Sequence, residues 1–207
     1  MCFSATASFI AGGSLSALGI VTMKKAKRKA EIPLAMFPVL FGVQQLLEGM
    51  LWLSFRFEAP VLNVSMTYAF SLFSHVLWPI FVPFSIGLVE QVGWRKKAIL
   101  AFLFIGIAVG LYLLYMIVKF PVWSEVDDHI VYVSPHFYQI PVMMLYLAAT
   151  TIAPLFSSHK IINLFGVLAL LLSIVAYWIQ ATAFFSIWCF FAAILSSVIY
   201  LHFKLKK

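Results

Sequence analysis

The sequence predicts an all-α membrane protein, a bundle of seven transmembrane helices with its N-terminus outside and its C-terminus in the cytoplasm, forming one domain over residues 1–207. Three observations predict it. Apolar residues make up 64% of the chain and charged residues only 10%, with a mean hydropathy of +1.04, whereas a soluble domain carries about 25% charged residues. A chain so poor in charge cannot cover its own surface with polar groups, so the bilayer is its solvent. The apolar residues also fall in seven runs of about 20, the length that crosses bilayer hydrocarbon. Finally, all but two of the 14 Lys and Arg residues lie on one side of an alternating seven-span topology.

The spans are expected near residues 3–23, 33–55, 62–89, 98–118, 137–157, 161–180 and 182–203. Each is continuously apolar rather than alternating, which indicates helices and not barrel strands. Span 1 carries the small pair Gly12 and Ser16, and span 4 carries Gly106 and Gly110 as a GxxxG, so both should pack closely on neighbours. Pro79 and Pro83 should kink span 3, while Pro141 and Pro154 sit near the ends of span 5. Spans 6 and 7 meet around Gln180-Ala181-Thr182 and should form a tight helical hairpin. No basic n-region precedes span 1, so no cleavable leader is expected. Two cysteines, Cys2 and Cys189, exclude a disulfide framework.

Orientation follows from the loops. Lys24, Lys25, Lys27, Arg28 and Lys29 follow span 1, and Arg95, Lys96 and Lys97 follow span 3. Lys160 follows span 5, and Lys204, Lys206 and Lys207 close the chain. The opposite side has only Arg56 and Lys119, beside Glu58, Glu125, Asp127 and Asp128. The positive-inside rule places the basic side in the cytoplasm. The net charge of +7 is therefore topogenic, and nucleic acid is excluded as a partner. The acidic run from Glu125 to Asp128 reads as a solvated outer loop.

Ionisable groups inside a membrane are costly and mark functional candidates. Glu48 is the one acidic residue well within a span, and His75 the one histidine. No Lys or Arg lies well inside a span, which removes retinal as a cofactor, since its Schiff base needs such a lysine. Glu48 lies roughly 10 Å and His75 roughly 18 Å from the outer surface at 1.5 Å per residue, so the two could meet. Gln44, Gln45, Glu48 and Trp52 share a face of span 2, and Tyr68, Ser71, His75 and Trp78 share one of span 3. Tyr177 and Gln180 on span 6 and Ser186 and Cys189 on span 7 lie in the same outer half. Together these suggest a polar pocket opening outward. Cys2, Ser4, Thr6 and Ser8 are too polar for a lipid-facing helix end, which draws the amino terminus toward that pocket.

Two stretches, Met-Cys-Phe-Ser-Ala-Thr-Ala-Ser-Phe at residues 1–9 and Pro-Leu-Ala-Met-Phe-Pro-Val-Leu-Phe-Gly-Val-Gln-Gln-Leu-Leu-Glu-Gly-Met-Leu-Trp at 33–52, resemble an uncharacterised family of small bacterial polytopic membrane proteins. That family begins MCFSA and carries an FGxQQxxEGxxW segment. The resemblance implies that Cys2, Gln44, Gln45, Glu48 and Trp52 belong to its signature, and that the chain resides in the bacterial cytoplasmic (inner) membrane. It implies no substrate. The seven-span ceramidase and adiponectin-receptor-like hydrolases are similar in span count alone, because the chain lacks their HxxxH on the last helix.

Three readings follow. In the first, the pocket binds or acts on a small-molecule or lipid-derived ligand, with Glu48 and His75 as acid, base or partner and Cys2 as nucleophile. Gln44, Gln45, Trp52, Tyr68, Ser71, Tyr177 and Gln180 would bind the ligand. A zinc or other transition-metal ion would suit Cys2, Glu48 and His75, allowing metal-dependent hydrolysis. In the second, Glu48 is the coupling carboxylate of a small-solute or proton-coupled transporter. In the third, the chain is a structural or sensory subunit whose interior around Glu48 is filled. Membrane lipid is the expected surrounding partner in all three.

Overall fold

A computed structural model of the protein describes residues 4–135, 137 and 139–205. The expected spans appear as seven helices: α1 Ala5–Lys25, α2 Lys29–Arg56, α3 Pro60–Val89, α4 Gly93–Lys119, α5 Ile140–Phe156, α6 Lys160–Ile179 and α7 Ala181–Leu205. Six are long and apolar enough to cross a membrane, and α5 is shorter. It begins three residues later than expected because Gln139 is extended and Pro141 sits in the first turn, where its missing N–H costs nothing. Ser4 caps α1, its hydroxyl accepting from the amide of Ala7 at 3.2 Å.

Small residues set the closest helix pairs. The most extensive contact is α1 on α2, where Gly12, Ser16 and Gly19 of α1 face Gly42, Leu46 and Val39 of α2. A Cβ at Gly12 or Gly42 would press on the opposing backbone, and one at Gly49 would meet the Phe9 ring. Gly106 likewise lets α4 approach α3, since a Cβ there would overlap the Pro79 carbonyl oxygen. That oxygen is available because Pro83, four residues on, has no N–H to give it. The GxxxG therefore seats on the backbone that the second proline leaves open.

The kink expected in span 3 takes a specific form. Residues Leu72–Leu77 make a π turn directly before Pro79, and Trp78 donates its amide to Phe73, five residues back. In that register the Ser74 carbonyl would take the amide of residue 79, which is a proline. The Tyr146 hydroxyl of α5 donates to it instead. α5 repeats the device: Ala148–Ile152 form a π turn ahead of Pro154, and Gly166 of α6 packs against Pro154 and the Thr151 carbonyl. Insertion of one residue relieves the clash a proline ring makes with the preceding turn.

The loop around Glu125–Asp128 is a β-hairpin, a correction to the expected solvated loop. Strand β1 Trp123–Val126 pairs antiparallel with β2 Ile130–Val133. Glu125, Asp127 and Asp128 are exposed as expected, but Ile130 and Tyr132 point inward and are buried. Tyr132 stacks on Phe70 of α3 with centroids 4.4 Å apart. The hairpin thus folds over one end of the bundle, alongside the α2–α3 and α6–α7 turns.

The opposite end carries the basic loops. There Glu90 accepts from the amides of Gln91, Val92 and Ser158 at 3.0, 2.9 and 2.6 Å, and Arg95 donates to the carbonyl of Ser157 at 2.8 Å. Burial acts to raise the Glu90 pKa, but the hydrogen bonds from Ser158, Val92 and Ser157 outweigh it and hold the carboxyl below its ordinary value. One apolar cluster occupies each end: Leu51, Phe70 and Phe185 belong to the hairpin-end cluster, and Phe41, Trp78 and Phe165 to the basic-end one. Residues 44–48 of α2 and 71–75 of α3 fall between the two clusters.

Candidate functional site

The polar residues between the clusters are wholly buried. Gln44, Gln45, Glu48, Ser71 and His75 each have 0% exposure. On α2, glycines and polar residues alternate by face. Gly42 and Gly49 look toward α1, while Gln44 and Glu48, four residues apart, look toward α3 and α7. This explains the spacing of the FGxQQxxEG segment physically, since the glycines bring α1 close and the remaining positions carry the polar groups.

Glu48 receives two neutral donors. Ser186 of α7 donates to Oε1 at 2.5 Å, and Gln45 Nε2 lies 3.5 Å from Oε2, a long contact. It has no ion pair among the described residues. Gln44 Oε1 accepts from Trp78 Nε1 at 2.6 Å, which fixes its amide orientation because the indole can only donate. Cys189 packs beside Gln44 and Glu48. Near them a cavity of about 20 Å³, bordered by Trp78 and Cys189, has room for about one water molecule.

His75 belongs to a neighbouring group. Its ring lies between Phe137 and Phe185, with centroids 4.0 and 3.9 Å away. Ser74 Oγ is 2.7 Å from Nδ1 and 2.9 Å from the Phe70 carbonyl. If the single serine proton goes to that carbonyl, as serines in helices commonly bond four residues back, Nδ1 is the donor and Nε2 carries a lone pair; in the other tautomer Nε2 carries the proton. Among the described residues His75 Nε2, Ser71 Oγ, Gln44 Nε2, Gln45 Oε1 and Trp52 Nε1 have no hydrogen-bond partner.

Glu48 and His75 share no hydrogen bond, but consecutive residues of α7 link them, Phe185 touching one and Ser186 the other. Cys2 lies outside the described residues. No group of three potential metal ligands occurs among the described residues. Most of the remaining expected binding residues disperse. Tyr68 accepts from the Val122 amide at 3.3 Å beneath the hairpin, and Gln180 donates to Asp127 at 3.1 Å. Tyr177 is 63% exposed, whereas the half-buried Trp52 stays with the site, one helical turn beyond Glu48 on α2.

Ser74, Phe137 and Phe185 join the site without having been singled out in the sequence. Trp78 carried a weak signal, because it shares a face of span 3 with His75. A second, much larger cavity of about 780 Å³ lies at the hairpin end, and Tyr177, not Glu48 or His75, is on its wall.

No curated protein and no solved structure matches the chain. The family described as "Family of unknown function (DUF6629)" matches residues 1–207. The chain is thus an integral membrane protein that belongs to this family over its whole length.

Proposed function

We propose that the protein binds a small polar or lipid-derived ligand at the Glu48–His75 site, reached from the outer face of the bacterial cytoplasmic membrane, with the basic end in the cytoplasm. One observation carries the reading. A buried carboxylate without an ion pair sits among buried donors and acceptors that have no protein partner among the described residues. Buried polar groups are satisfied almost without exception, and in a membrane an unsatisfied one costs several kcal/mol. One water fits the space beside them, and a larger polar ligand would complete them once the surrounding helices part. Gln44 Nε2 and Trp52 Nε1 can only donate, while Gln45 Oε1 accepts and His75 Nε2 accepts or donates with its tautomer. The set therefore suits a ligand with both functions, such as a hydroxyl or amide. Catalysis would use Glu48 as acid or base, and a metal held by Cys2, Glu48 and His75 would add hydrolysis.

The test is extraction and mass spectrometry of small molecules carried by the purified protein, beside metal analysis. A ligand present at near-equal stoichiometry and lost in Glu48→Gln, with the thermal midpoint retained, is expected. Equal recovery from both proteins would refute the reading.

Two other readings each have one observation in their favour. The breaks in α3 and α5 at π turns favour proton-coupled transport, because discontinuous helices flank the sites of many transporters. Uptake into liposomes that depends on Glu48 would establish it. The close packing of Phe137 and Phe185 on His75 favours a structural subunit. In that case Glu48→Gln would change stability and nothing else.

A further inference from the structure

Gly166 seats α6 tightly against Pro154 and the π turn of α5. From there toward the hairpin end the two helices part: α6 packs on the second half of α5, while the first half, Ile140–Leu147, stands away from it. The gap is the cavity of about 780 Å³, walled by Met143, Met144 and Leu147 of α5, Ile174 and Tyr177 of α6, and Phe184 of α7. Sites that enclose a whole small ligand have volumes of roughly 300–1,000 Å³.

Four features define its occupant. No charged residue lines the cavity. Its mouth lies between the shorter apolar helix α5 and the membrane-crossing α6, where the apolar side chains of Met144 and Ile174 are 67% and 51% exposed, so it opens on the side of the bundle that meets lipid. Polar groups are few: Ser134 and Thr182 line the wall at the hairpin end, and of the two on α6, Tyr177 is largely exposed while Ser173 gives its proton to the Leu170 carbonyl of its own helix. The Ser134 hydroxyl is buried, with no partner among the described residues. Left empty, such a space would forfeit the dispersion contacts of its whole lining.

We infer that this cavity is a lateral binding site for one acyl chain of a membrane lipid, with the polar end of that lipid toward Ser134 and Thr182. It shares no residue with the Glu48–His75 site, and Phe184 forms the wall on the side of that site. The inference therefore stands whether or not the Glu48 site binds a ligand.

The experiment uses the full chain in nanodiscs doped with a phospholipid bearing a photoactivatable diazirine on one palmitoyl chain, with cross-links mapped by mass spectrometry. Labelling of Met143, Leu147 and Ile174 is expected to exceed that of Phe104 and Leu111 on the exposed side of α4 by about tenfold, the ratio that 1.4 kcal/mol of preference gives. It should fall on competition with unlabelled lipid, fall again in Leu147→Trp, and persist in Glu48→Gln. Should Leu147→Trp fail to fold, Met144→Trp blocks the mouth from a largely exposed position. Labelling of the cavity residues no greater than that of Phe104 and Leu111, or not competed, would mean general lipid contact only and would overturn the proposal. Loss of labelling in Glu48→Gln would equally overturn it, by showing one site where two are inferred.

Discussion

Ser186 gives Glu48 its shortest hydrogen bond, so Ser186→Ala leaves a buried carboxyl with one long contact. The expected loss is about 1–3 kcal/mol, measured as a lower unfolding midpoint in detergent. An unchanged midpoint would mean that water already satisfies Glu48. Gly106→Ala should destabilise by about 1–3 kcal/mol through overpacking, because the new methyl meets the Pro79 carbonyl. Gly93→Ala is the control, as nothing lies near a Cβ there. Equal effects of the two substitutions would dismiss the close approach of α3 and α4. Glu48 and His75 stood out in the sequence because an ionisable residue deep in an apolar run is costly, whether it serves a site or holds the bundle together. Their partners were not. Trp78 lies 34 residues from Gln44, and Ser186 lies 138 from Glu48; only the packing of α2, α3 and α7 brings them together. Phe137 and Phe185 were invisible for a different reason, being two among 21 phenylalanines.

The seven helices could be read from hydropathy alone, since each run is longer than any buried soluble helix needs to be. The hairpin could not. Its strands are four residues each, too short for alternation to stand out, and the acidic turn between them reads equally well as open loop. The prolines foretold a kink in α3 but not the π turn before it, because the choice depends on whether a neighbouring group can satisfy the freed carbonyl. Tyr146 is that group, and a double-mutant cycle checks it. Tyr146→Phe is expected to cost about 1–3 kcal/mol in the parent. It should cost far less in a Pro79→Ala background, where residue 79 regains an amide for the Ser74 carbonyl. A coupling of about 0.5–3 kcal/mol is expected; simple additivity would show that the hydroxyl and the proline act separately.

For the whole molecule, the basic loops share one end and the hairpin occupies the other. If the basic end is cytoplasmic, as proposed, a single cysteine at Asp128 should react with a membrane-impermeant maleimide in intact cells and one at Lys27 should not, both in a background lacking Cys2 and Cys189. The reverse pattern would invert the topology and turn the proposed outer site into a cytoplasmic one. The clasp at Glu90 makes stability depend on pH. Its carboxyl is held below the ordinary 4.5, so the folded state binds its proton less readily than the unfolded chain. The contribution is fully present above that ordinary value and is lost as pH falls through the depressed one. Glu90→Gln should therefore unfold at a lower temperature than the parent at pH 7, and the gap should close in acid. A gap that stays constant with pH would assign the effect to packing.

Three successive side chains at the start of α7 have three different neighbours. Phe184 faces the large cavity, Phe185 the imidazole and Ser186 the carboxyl. Successive helical residues point about 100° apart, so this one turn serves as a pivot. No rotation about its axis can release one of the three neighbours while keeping the other two.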